Sequence, residues 1–112
     1  MISLEPFHDI DQLTQFIYKT PQDATLYFRR GLVRSSIKRL EDLRIAIDDY
    51  TRAITINAQY ADAYLQRGKL KGILNDKKQA VEDIRIAAKI YFEMGNINKY
   101  DESMGFVRVL LT

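Results

Sequence analysis

Residues 61–74 read ADAYLQRGKLKGIL, and residues 24–37 read ATLYFRRGLVRSSI. The two stretches align as A-x-x-Y-x-x-R-G at a shift of 37, with Tyr27 over Tyr64, Arg30 over Arg67 and Gly31 over Gly68. A second set of positions aligns at a shift of 34: Leu40 with Leu74, Asp42 with Asp76, Ala46 with Ala80 and Ile47 with Val81. That set continues through Asp49 with Asp83, Tyr50 with Ile84, Ala53 with Ala87 and Ile56 with Ile90. A run of matches this long at one offset marks an internal repeat. The two shifts differ by three, so the first copy carries three extra residues, expected between Gly31 and Leu40 as almost one helical turn.

Each copy reads as two helices. Leu43, Ile47, Tyr50 and Ile54 fall at helical spacing in the first copy, and Val81, Ile84 and Ala88 in the second. Asn75-Asp76 breaks the second copy; Asp76 is a good N-cap, and Gln79 makes a capping-box-like pair with it. The small residues Gly31, Gly68, Ala46 and Ala80 recur in phase, which assigns them to close approach of antiparallel helices.

These residues resemble the tetratricopeptide repeat, a 34-residue helix–turn–helix unit. Its aromatic, Gly, Ala, large and Ala positions correspond to Tyr27, Gly31, Ala46, Tyr50 and Ala53, and again to Tyr64, Gly68, Ala80, Ile84 and Ala87. The resemblance covers about residues 24–94. It implies an all-α, right-handed solenoid of antiparallel helix pairs. Six helices are expected, near 8–19, 23–39, 42–57, 60–74, 77–94 and 97–110. The expected organisation is one domain over 1–112: a partial N-terminal repeat (1–22), repeat 1 (23–58), repeat 2 (59–94) and a capping helix (95–112). Ile10, Leu13, Phe16 and Ile17 form an apolar stripe at one end, and Tyr100, Met104, Val107 and Leu111 form one at the other.

The chain departs from the family at several places. Ala58 and Phe92 stand where a closing Pro is usual, and Gly95 is expected to stop the second helix of repeat 2 as a left-handed C-cap. Arg30 and Arg67 replace the usual Leu before Gly, and Arg34 and Lys71 replace a large apolar residue. Asp49 and Asp83 also recur in phase, and the family's fold implies that they face those Arg residues. Structural ion pairs Arg30–Asp49 and Arg67–Asp83 are therefore expected.

The resemblance further implies a concave groove lined by the first helix of each unit. Its positions here are Phe28, Leu32, Ser35, Leu65, Lys69 and Gly72. Phe28, Leu32 and Leu65 make an expected apolar floor with Lys69 at its edge, suited to a partner segment with hydrophobic anchors. The expected function is an adaptor or scaffold that binds another protein or a peptide segment. The alternatives are self-assembly into a homo-oligomer and, less favoured, a basic RNA-binding module. From residue 24 onward there are 16 basic and 11 acidic residues, with Arg30, Arg34 and Lys38 spaced i, i+4, i+8. The region lacks the repeated base-reading pair on an aromatic platform that nucleic-acid recognition favours.

The remaining chemistry is sparse. The 112 residues contain one His, no Cys and five scattered Gly, so a thiolate site and a Gly-rich phosphate loop are both missing. Neither catalysis, a metal nor a cofactor is expected. His8 with Asp9 and Asp11 places metal-ligand types close together, but it reads better as an exposed, acidic start of the chain. The formal charge is +2, no apolar run reaches membrane-span length, and acidic residues precede the first Lys or Arg. A cytoplasmic protein without membrane contact is expected.

Overall fold

The computed structural model describes residues 5–112, which form six α-helices and, among the described residues, no strand. The helices group into two compact units that divide between Ala58 and Gln59.

The first unit contains α1 (Glu5–Lys19), α2 (Ala24–Ile37) and α3 (Leu40–Ile56). Asp23 starts α2 by accepting a hydrogen bond from the Thr25 backbone N–H at 3.0 Å. Lys38 ends it in the left-handed region, with φ 63°. Helix α2 packs on both α1 and α3. Its buried residues are Tyr27 and Gly31, and those of α3 include Leu43, Ala46, Tyr50 and Ala53. A Cβ on Gly31 would lie 2.6 Å from Tyr50 Cε1, so the absent side chain is what admits the Tyr50 ring. From α1, Leu13 and Ile17 are buried, whereas Phe16 of the expected stripe stays 45% exposed.

The second unit contains α4 (Ala61–Ile73), α5 (Lys77–Glu93) and α6 (Ile97–Leu110). Gly68 repeats the close approach: its Cβ would sit 2.6 Å from Ile84 Cγ1, and Ile84 is the in-phase counterpart of Tyr50. Asn75, with φ 70°, closes α4: its N–H bonds the Gly72 carbonyl, and the Asp76 N–H bonds the Lys71 carbonyl. Gly95, with φ 80°, closes α5 through matching bonds from Gly95 to Phe92 and from Asn96 to Tyr91. Both ends are Schellman motifs. Asp76 accepts from the Gln79 N–H, but the reciprocal half of the expected capping box does not form, since the Asp76 N–H is spent on Lys71. Asn96 caps α6 by accepting from the Lys99 N–H.

Two expectations about local structure are corrected. The three extra residues of the first copy do not lengthen its first helix by a turn. Helix α3 starts at Leu40, three residues ahead of its in-phase start, because α5 starts at Lys77. Leu40 and Asp42 are therefore helical, whereas Leu74 and Asp76 are caps, and those two alignments are not structural equivalences. The first turn of α3 instead holds an Arg39–Asp42 ion pair of 2.5 Å. The C-terminal stripe ends at Val107, which is 2% exposed, while Leu111 is 60% exposed. Leu111 reaches only the first turns of α5, beside Lys77, Lys78 and Val81, where little of that helix remains to cover it.

Candidate functional site

The positions singled out by the repeat fall into two groups with different environments. The Arg and Asp residues belong to buried networks. In the first unit, Arg30 sends Nε and Nη2 to Asp49 Oδ1 at 3.1 and 2.8 Å, and its Nη1 donates to Thr14 on α1 at 3.1 Å. Arg34 Nη1 reaches the other Asp49 oxygen at 2.7 Å. In the second unit, Arg67 grips Asp83 in bidentate fashion at 2.8 Å through both Nε and Nη2, and Lys71 Nζ lies 3.2 Å from Oδ2. Asp49 and Asp83 are each 3% exposed.

Burying a carboxylate without partners costs several kcal/mol. Here each one meets two cations, one of them a planar guanidinium suited to bidentate pairing. The Arg heads also sit over ring faces, Arg30 over Tyr27 at 5.7 Å and Arg67 over Tyr64 at 5.6 Å. These residues tie the two helices of a pair together, and their hydrogen-bonding capacity is spent inside the protein. Arg34 and Lys71 are the partners that sequence reasoning missed. Their signal was present in the sequence, since both are basic, both lie four residues after the paired Arg, and both recur at the same shift.

Tyr50 is fully buried, and burial pushes its phenol up to about 12, with the Ser35 hydroxyl at 3.0 Å pulling the other way and Asp49 adding to the rise. Tyr91 is also raised, first by burial and then by its hydrogen bond to Asp62, which joins the end of α5 to the start of α4.

The expected groove positions do not share one environment. Phe28 is half-buried with its ring 5.7 Å from that of Tyr50. Ser35 is occupied by the Gly31 carbonyl and Tyr50. Leu32 is 40% exposed and lines a cleft between α1 and α2 with Leu13, Phe16, Val33, Asp9, Gln12 and Arg29. Leu65 is corrected: at 1% exposure it is a core residue of the second unit, packed with Val81, Ile84, Tyr91 and Val107, and it offers no surface. It is buried because α6 covers the face of α4 that was expected to be open.

Lys69 and Gly72 remain at a surface. They line a cleft of about 300 Å³ between α4 and α6, together with Ile73, Ile84, Phe106, Val109 and Leu110. Ile84 forms its fully buried floor, and Ile73 and Val109 stand at the mouth, 65% and 72% exposed. Gly72 keeps the wall thin: a Cβ there would come 3.2 Å from Leu110 Cδ2. Lys69 is the one charged side chain in the cleft, and its Nζ lies 4.7 Å from the centre of the Phe106 ring. Among the described residues no three His, Cys, Asp or Glu are grouped so as to hold a metal.

No family model matches the chain. The TPR repeat-containing thioredoxin TDX of Arabidopsis thaliana is 30% identical over 96 residues, covering 86% of this chain and 22% of that protein. DnaJ homolog subfamily C member 7 of Mus musculus is 38% identical over 69 residues, covering 62% of this chain and 13% of that one. The chain thus spans about a fifth or less of the length of these curated relatives. Among solved structures, the TPR2B domain of yeast Sti1 in a pHsp70 complex matches at a TM-score of 0.80 and 20% identity, over 90% of this chain and 78% of that one. MamA matches at 0.68 and 23% identity, over 95% and 62%.

The chain has the tetratricopeptide-repeat fold. Its architecture is the all-α solenoid type, with α2–α3 and α4–α5 as the repeat pairs. The repeat signature residues do the packing in each pair, and the in-phase Arg and Asp residues brace it. What the repeat pattern does not encode is the cleft, because Phe106, Val109 and Leu110 come from α6, outside the two repeat pairs.

Proposed function

We propose that this protein is an interaction module that holds a segment of a partner protein in the α4–α6 cleft of its second unit. The observation that carries the reading is the cleft's composition: apolar side chains from three helices, two of them standing exposed at the mouth, with one cation at the rim. A bulky apolar side chain of the partner enters over Ile84, between Ile73 and Val109. Lys69, poised over Phe106, meets an acidic group beside that anchor. Apolar pockets with few fixed polar groups are the usual form of such sites. The fold supports the same reading, since TPR domains of yeast Sti1 match it in complexes with pHsp70 and pHSP90.

The reading is that of an adaptor rather than an enzyme. The three buried carboxylates, Asp42, Asp49 and Asp83, are all ion-paired, which leaves none poised for acid–base work. A cytoplasmic location goes with this reading; among the described residues, no helix is long and apolar enough to cross a membrane.

Selection of a random peptide library on the immobilised chain tests the cleft, with Val109→Asp as comparator. Val109 is 72% exposed, so the substitution spares the fold. Peptides with a bulky apolar anchor are expected to bind the parent chain and to lose affinity about tenfold or more for the variant, since a carboxylate at the mouth opposes apolar burial. Equal binding to both chains would overturn the proposal.

A further inference from the structure

A second cleft in the same unit has a different chemistry. It lies between the start of α5 and the end of α6, spans about 480 Å³, and is lined by Lys77, Lys78, Val81, Glu82, Arg85 and Leu111. Its floor is aliphatic: Val81 is 8% exposed and Leu111 60%. Lys77, Lys78 and Arg85 have no ion-pair or hydrogen-bond partner among the described residues. Three cations thus face one acid, Glu82, around an apolar floor.

The repeat itself supplies a control for this charge. At the shift of 34, Val81 corresponds to Ile47, Lys78 to Arg44 and Glu82 to Asp48, so the apolar floor and one basic–acidic couple belong to the repeated pattern. Lys77 corresponds to Leu43 and Arg85 to Thr51, so the two additional cations belong to the second unit alone. Leu43 is buried and the Thr51 hydroxyl is hydrogen-bonded to the Ile47 carbonyl, so neither position carries charge in the first unit. The packing of a helix pair does not require the extra charge, since the first unit packs without it.

We infer that this cleft is a docking surface for an acidic segment of another protein, with one apolar side chain set against Val81 and Leu111 and carboxylates facing Lys77, Lys78 and Arg85. Charge complementarity selects this occupant: unpaired cations raise the local concentration of an acidic partner and fix its register, and the aliphatic floor takes its anchor. A nucleic acid suits the surface less well, because the floor has no aromatic ring for a base to stack on and Glu82 repels phosphate.

Fluorescence anisotropy at low salt tests the inference. The probe is a fluorescein-labelled peptide with Asp and Glu flanking a central Leu-Phe pair. Its companions are a peptide with Lys in place of the acids, one with Ala in place of Leu-Phe, and a labelled oligouridine. The acidic Leu-Phe peptide is expected to bind, the Lys peptide not to, and the Ala peptide to bind several-fold more weakly. Lys78→Glu/Arg85→Glu is expected to weaken binding about tenfold or more, and Leu111→Ala a few-fold. Arg44→Glu, at the exposed in-phase counterpart of Lys78 in the first unit, is expected to leave binding of this probe unchanged, which ties binding to this cleft rather than to basic charge in general. The inference is overturned if the acidic peptide fails to bind, if the double charge reversal leaves its affinity intact, or if Arg44→Glu weakens binding as much as the double charge reversal does. Oligouridine binding tighter than the peptide, and lost in the same double variant, overturns it in favour of a nucleic-acid surface.

Discussion

Gly68→Ala sets two magnitudes against each other. In an exposed helix interior, replacing Gly by Ala stabilises by about 1 kcal/mol. At Gly68 the new methyl would lie 2.6 Å from Ile84 Cγ1, 3.0 Å from the Ala80 carbonyl oxygen and 3.1 Å from Asp83 Cβ. None of these can move freely: Ile84 is fully buried, the carbonyl is helix backbone, and Asp83 is held by Arg67 and Lys71. Overpacking of a tight core costs about 1–3 kcal/mol, and rigid neighbours on three sides put this site at the upper end. The expected net loss is about 2 kcal/mol, or roughly 8 °C in the midpoint of thermal unfolding for a domain of this size. Gly72→Ala is the control. Its closest neighbour is Leu110 Cδ2 at 3.2 Å, the far end of a flexible side chain, so propensity is expected to win and the midpoint to hold or rise. Circular dichroism melts of both variants read the outcome. An unchanged or raised midpoint for Gly68→Ala would refute the close-approach role of that glycine.

The doubly paired carboxylate of the second unit predicts a non-additive response: Arg67→Ala alone leaves Asp83 with Lys71, and Lys71→Ala alone leaves it with Arg67. The double variant strands a buried charge, so it is expected to cost about 1–3 kcal/mol more than the sum of the single losses in urea unfolding, and additivity would rule out the shared strut. Tyr50 predicts a loss of stability in alkali. The unfolded phenol deprotonates near pH 10.0 and the folded one near 12, so the full contribution is present below pH 10 and declines as pH rises towards 12, by about 2–3 kcal/mol. Tyr50→Phe is expected to flatten that decline in denaturant titrations across this range, with the raised Tyr91 phenol supplying what slope remains.

The fold was legible in the sequence because its packing positions repeat. Tyr27 and Tyr64, Gly31 and Gly68, and Ala46 and Ala80 each mark a contact that only one arrangement of the helix pair satisfies. One cap was legible for a local reason: Asp76 accepts a backbone N–H from the first turn it precedes, and the structure adds Asp23 and Asn96, which do the same. The insertion was misplaced because Leu40–Leu74 and Asp42–Asp76 match in residue type but not in environment. A run of identities cannot distinguish a helical Asp42 from a capping Asp76. The site was less legible. Leu65 has the spacing of an exposed groove residue, and only the path of α6 across α4 decides that it is buried. Lys69 and Gly72 were identified from the repeat, but their cleft takes its apolar wall from α6, and Arg34 and Lys71 read as departures from an apolar position until Asp49 and Asp83 were seen to need a second cation.

Occupation of the α4–α6 cleft can be read directly by amide chemical-shift mapping. The 15N-labelled chain is titrated with the tightest-binding peptide from the library selection. Binding in the cleft predicts the largest shifts at Gly72, Ile73, Phe106, Val109 and Leu110, with saturation at one peptide per chain. Largest shifts confined to the first unit, or spread evenly over the surface, would contradict it.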